Sequence, residues 1–77
     1  MDEIITRIST LLTTRFGVSP AELNAETALR DLDLDSLALV EFGLVAAKEF
    51  GVKLGEEEIS PDDTVADVAK LIASKAA

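Results

Sequence analysis

Apolar residues return at three- and four-residue intervals in three separate stretches of this chain, and the pattern breaks between them. Ile4, Ile5, Ile8, Leu11, Leu12 and Phe16 line one face of a helix over 2–16, with Gly17 following as its stop. A second helix is predicted from about Ser36 to Phe50, ending at Gly51 and interrupted by no proline. A third starts after Thr64, an N-cap candidate with Asp67 three residues on, and runs through Val65, Val68, Ala69 and Ile72 to near Ser74.

The intervening segments read as connections. Ser19-Pro20-Ala21-Glu22 has the spacing of a capping box with Pro at the first helical position, which predicts a short helical turn followed by loop. From Asn24 to Asp35, Leu29, Leu32 and Leu34 stand among polar residues, as in a long connection pinned to a core. Glu56-Glu57-Glu58-Ile59 is expected to form one further helical turn, ended at Ser60 because the residue before Pro61 is pushed out of the helical region. The chain is therefore read as all-α, a single domain over 1–77 with one core of three or four helices and no repeats.

The second helix carries more apolar surface than one core stripe requires. Advancing about 100° per residue from Ser36, Leu39, Phe42, Ala46 and Phe50 form the expected stripe, all within roughly 80° of one another. Leu37, Val40, Leu44 and Ala47 gather on another side, next to Ser36 and flanked by Glu41 and Lys48. Two explanations stand: a central helix covered from both sides, or an exposed strip on which partners dock, with carboxylates steering encounter and leucines providing grip.

Composition narrows the functions open to such a domain. With 48% hydrophobic but only 4% aromatic residues, the core is built from Leu, Ile, Val and Ala. Asp and Glu number 15 against 7 Lys and Arg, a net charge of -8 that disfavours nucleic acid and anionic lipid and favours partners with basic patches. The acidic Met1-Asp2-Glu3 start and the lack of any apolar run near ~20 residues predict a soluble cytoplasmic protein without a membrane partner, expected to be a monomer. There is no His and no Cys, so neither a Ser/His/Asp triad nor a Cys/His pair can be built from the chain itself. Ser36 is consequently a candidate for modification by another enzyme. It stands where the first helical turn favours a phosphate ester, although an ordinary N-cap serine would occupy the same place.

The run Asp31-Leu32-Asp33-Leu34-Asp35-Ser36-Leu37, then Glu41, Glu49-Phe50-Gly51-Val52 and the late Ser60-Pro61-Asp62-Asp63-Thr64-Val65, resembles the acyl carrier proteins of fatty acid and polyketide synthesis over essentially the whole chain. The resemblance implies a small four-helix bundle with three longer helices and one short one. It also implies that Ser36 receives 4′-phosphopantetheine from coenzyme A through a separate phosphopantetheinyl transferase using Mg²⁺. The arm would end in the thiol that the chain lacks and hold acyl groups as thioesters, the protein itself being non-catalytic. Asp35, Leu37, Val40, Glu41 and Leu44 would then contact the transferase and the acyltransferase, ketosynthase or adenylating enzymes that load and use the carrier.

Departures from the family pattern bear on the pathway. Asp33 stands where many members have Gly, and Ala38, Gly43, Ala47 and Lys48 dilute the acidity usual on the second helix, leaving Glu41 and Glu49. A dedicated carrier of a polyketide or other specialised pathway is favoured over the housekeeping fatty acid carrier. An aminoacyl or peptidyl carrier is the alternative, and a small acidic adaptor without covalent cargo is the alternative from another class. A calcium loop fails, because Asp31, Asp33 and Asp35 have the right spacing but Ser36 stands where Gly is required and Phe42 where Glu is. No metal site is expected.

Overall fold

A computed structural model describes residues 2–32, 34–55 and 57–76. Three α-helices make the body: α1 (Asp2–Phe16), α2 (Ser36–Phe50) and α3 (Val65–Ala76). Two short 3₁₀ turns, Pro20–Glu22 and Leu29–Leu32, interrupt the connection from α1 to α2. The all-helical expectation holds, with α1 and α2 spanning the expected residues and α3 reaching two residues past Ser74.

The fourth helix expected at 56–59 is corrected. Glu56 lies outside the described residues, and Glu57 and Glu58 form a turn that leads into a bend at Ile59. Among the described residues, the Glu58 N–H donates to the Gly55 carbonyl at 3.1 Å and the Gly55 N–H to Glu58 Oε1 at 2.8 Å across it. With Pro61 two residues beyond Ile59, the segment is too short for helix propagation to offset the cost of nucleation.

Each helix face meets the core where its periodicity places it. Ile8 and Leu12 from α1, Phe42 and Ala46 from α2, and Val65, Val68, Ala69 and Ile72 from α3 are buried together. The Phe16 and Phe42 rings meet edge to face at 6.0 Å, a favoured aromatic geometry. α1 packs on both α2 and α3. Where the second turn of α1 meets the end of α2, Arg7 pairs with Glu49 at 2.8 Å, and its guanidinium stacks 4.5 Å from the centre of the Phe50 ring.

Helix ends follow local chemistry. Gly51 takes a left-handed conformation, φ +66°, which L side chains rarely adopt, and the Gly51 and Val52 N–H groups both turn back to the Ala47 carbonyl. Thr64 and Asp67 cap α3 reciprocally: the Asp67 N–H donates to Thr64 Oγ1 at 3.1 Å and the Thr64 N–H to Asp67 Oδ2 at 3.0 Å. The same spacing at Ser19 does not produce a side-chain cap. Its backbone carbonyl, rather than its hydroxyl, takes the Glu22 N–H at 3.0 Å.

The long connection before α2 is sewn to the segment before α3. Leu29 and Arg30 N–H groups donate to the Asp63 and Pro61 carbonyls, both at 2.9 Å, and Val65 and Ala66 donate back to Thr27 and Ala25 at 3.1 and 2.8 Å. Arg30 adds an ion pair with Asp62 at 2.7 Å. Leu29 and Leu32 are buried beneath these bonds, so the connection is fixed at the point where it leads towards α2.

Candidate functional site around Ser36

Asp35, not Ser36, is the N-cap of α2. Its extended backbone, φ -78° and ψ 179°, lets Oδ1 accept the Ala38 N–H at 2.7 Å, while its carbonyl accepts the Leu39 N–H at 2.9 Å. Ser36 is thereby moved to the first helical position and relieved of capping, and it lies exposed. Its hydroxyl stands beside the positive end of the α2 dipole, a setting that suits a phosphodiester.

The second apolar face of α2 is not covered. Leu37 is 67% exposed and Leu44 62%, with Val40 at 37%. Asp35 and Glu41 are exposed beside them, so the sequence-predicted residues Asp35, Ser36, Leu37, Val40, Glu41 and Leu44 share the accessible side of one helix. Ala47, expected in the same strip, is half-buried, and the strip effectively ends at Leu44. Burial of α2 from both sides is ruled out at Leu37 and Leu44.

Beside Ser36 opens a groove of about 490 Å³ whose walls include Leu34, Leu39, Val40, Ile59 and Pro61. A smaller cavity of about 50 Å³ adjoins it along α2, sharing Leu39, Val40 and Ile59 and adding Gly43, Leu44, Leu54 and Gly55. An exposed hydroxyl at the mouth of an apolar trough fits a covalent arm that is polar where it is esterified and carries an apolar group further out. The trough's far wall, Ile59 and Pro61, has no local signature in the sequence. Ile59 closes a glutamate run and Pro61 marks a break, and the backbone bonds between 29–30 and 61–63, together with the burial of Ile59 in the core, hold that wall in place.

Two carboxylates away from Ser36 are shifted by specific contacts. Hydrogen bonding from Lys75, then from the Gly55 N–H, lowers the Glu58 pKa. The Thr64 N–H, then the Thr64 hydroxyl, does the same for Asp67. Asp33, which departs from the family pattern, lies outside the described residues.

Known proteins resemble this chain over most of its length. The phosphopantetheine attachment site family matches residues 6–72. A meromycolate extension acyl carrier protein of Mycobacterium leprae is 35% identical over 92% of this chain and 63% of its own length. Acyl carrier proteins of Acidothermus cellulolyticus and Rhodococcus erythropolis are each 31% identical, over 95% and 92% of this chain and 88% and 79% of their own lengths. The chain thus spans under two thirds of the length of its mycobacterial relative.

Proposed function

Because the chain belongs to the acyl carrier proteins, a family bearing covalent 4′-phosphopantetheine, we propose that Ser36 is the attachment residue and that Asp35, Leu37, Val40, Glu41 and Leu44 form the surface its enzymes recognise. The observation that carries this is the exposed Ser36 hydroxyl at the first turn of α2, beside the uncovered Leu37, Val40 and Leu44.

A phosphopantetheinyl transferase would join the Ser36 oxygen to the pantetheine-bearing phosphorus of coenzyme A. The phosphoanhydride bond breaks, the adenosine bisphosphate portion leaves, and the hydroxyl proton passes to a base of the transferase. The chain has no His or Cys to perform this step itself. Once attached, the arm supplies a terminal thiol that holds an acyl group as a thioester for transfer or chain extension. Asp35 holds Ser36 at the helix start through the Ala38 N–H. The carboxylates of Asp35 and Glu41 attract basic enzyme surfaces, and Leu37 and Leu44 are desolvated on contact.

The pathway proposed is a dedicated one, of polyketide type or another specialised acyl-extending type, rather than housekeeping fatty acid synthesis. Support comes from the mixed charge of α2, where Lys48 breaks the acidic series, and from relatives whose name assigns them to meromycolate extension.

Intact mass tests the attachment. Incubation with coenzyme A, Mg²⁺ and a promiscuous transferase is expected to add one phosphopantetheine to the wild type and none to Ser36→Ala. An unmodified wild type across several transferases, or a modified Ser36→Ala, would remove Ser36 from the role. Loading the holo protein with an acyltransferase, in parallel with an adenylating enzyme, then separates acyl from aminoacyl cargo.

A further inference from the structure

Charge along the exposed edge of α2 changes sign between its two ends. Glu41 and Lys48 are seven residues apart, which places them within about 20° of each other around the helix and about 10.5 Å apart along it. Both are exposed, and both border the Leu37 and Leu44 strip on the same side. The Ser36 end carries the carboxylates of Asp35 and Glu41. At the far end Lys48 lines a surface hollow with Arg15, Val45 and Glu49, and the carboxylate of Glu49 is already engaged by Arg7 at 2.8 Å, so Lys48 and Arg15 give that end a cationic character on a chain of net charge -8.

Resting on Ser36 as the attachment residue, we propose that Lys48 is a specificity-determining residue of the docking surface. It favours a partner enzyme with a cation opposite Glu41 and a carboxylate about two turns away opposite Lys48, and it disfavours enzymes whose docking patch is basic throughout. The apolar strip grips either kind of enzyme. A uniformly basic patch, however, meets Glu41 with attraction and Lys48 with repulsion, and a like-charge contact at a partly desolvated interface discriminates more sharply than an added attraction. The occupant of this surface is thus a synthase-type enzyme with a polarised patch, and orientation along α2 follows from the charge order.

The test uses holo protein, confirmed by mass, as substrate for a fatty acid synthase malonyl transferase chosen for a docking patch of Lys and Arg alone. Wild type, Lys48→Gln, Lys48→Glu and Glu41→Lys are compared at low ionic strength. Lys48→Glu is expected to lower KM about three- to tenfold with kcat little changed, Lys48→Gln to fall between, and Glu41→Lys to raise KM. Added salt shrinks all three differences. A KM for Lys48→Glu within about twofold of wild type would place Lys48 outside the contact and overturn the proposal, whatever Glu41→Lys does. Failure of the attachment reading shows earlier and separately, as absence of the holo mass in the wild type, and removes the proposal with it.

Discussion

Glu58 is held from two sides: one carboxylate oxygen accepts the Gly55 N–H at 2.8 Å and the other lies 2.8 Å from Lys75 Nζ. The turn at Gly55–Glu58 is thereby tied to the last turn of α3, with Ile59 buried immediately after it. Leu54, Gly55 and Ile59 form one side of the cavity against α2, so the same carboxylate that closes the turn also fixes that cavity wall.

The tie is expected to be pH-dependent. Lys75 and the Gly55 N–H lower the folded-state pKa of Glu58 below its ordinary 4.5. Its contribution is therefore complete above that value and is lost as pH falls through the lower folded value. Asp67, ordinarily 3.8 and also lowered, behaves in the same direction. Glu58→Gln should lower the thermal midpoint at neutral pH, by a modest amount because both side chains are partly exposed, and the gap to wild type should close in acid. Circular dichroism melts across a pH series measure this, and a gap unchanged in acid would contradict it. Amide exchange at Gly55 should quicken in the variant at neutral pH.

The helices were legible because each carries its own period and its own stops. Ile8 and Leu12, Phe42 and Ala46, and Val68 and Ile72 announce their faces locally, and Thr64 with Asp67 announces a cap that is formed. What joins distant segments was not legible. The Leu29 N–H to Asp63 carbonyl bond is backbone to backbone, and neither side chain advertises it. For the same reason Ile59 and Pro61 gave no sign that they wall the groove beside Ser36. The second face of α2 was ambiguous for a different reason: whether Leu37 is covered depends on a neighbouring element, and no local pattern encodes its absence.

Leu37 and Phe42, five residues apart on α2, should respond in opposite ways to substitution. Leu37 is 67% exposed and Phe42 fully buried. Leu37→Glu or Leu44→Glu is expected to change stability by no more than about 0.5 kcal/mol while slowing phosphopantetheine transfer. Phe42→Ala, which leaves a void beneath Phe16, should cost about 3–5 kcal/mol. Denaturant unfolding paired with a mass-based modification rate separates the two. Equal destabilisation by Leu37→Glu would mean that the face is covered after all.

Removing the Thr64 hydroxyl should loosen the start of α3. Thr64→Ala deletes the acceptor for the Asp67 N–H, a change that typically costs about 1 kcal/mol. Thr64→Ser retains the oxygen and should stay near wild type. Ser19→Ala, at the same spacing but without a side-chain cap, should be close to neutral. A chemical denaturation series compares the three, and a cost at Ser19 equal to that at Thr64 would show that the spacing alone, not the bond formed, determines the effect.

Gly43 and Gly51 lie on one helix and at its end, yet alanine should stabilise the first and destabilise the second. At Gly43 an added Cβ would meet Ile59 Cδ1 at 3.8 Å, an ordinary van der Waals contact in a helix interior. Gly43→Ala therefore gains helix propensity of about 1 kcal/mol, or roughly 4–8 °C in thermal midpoint for a domain of this size. At Gly51 nothing lies within 4 Å of the added atom, so space is no obstacle. The backbone is, because φ of +66° costs an L residue about 1–2 kcal/mol. Gly51→Ala should accordingly unfold earlier despite its open surroundings. Thermal melts of both variants decide the matter, and a loss of stability at Gly43 would indicate that Ile59 cannot yield to the new methyl group. Since Gly43 also borders the small cavity beside Leu39 and Leu54, the stabilised variant should admit apolar probes there less readily than wild type.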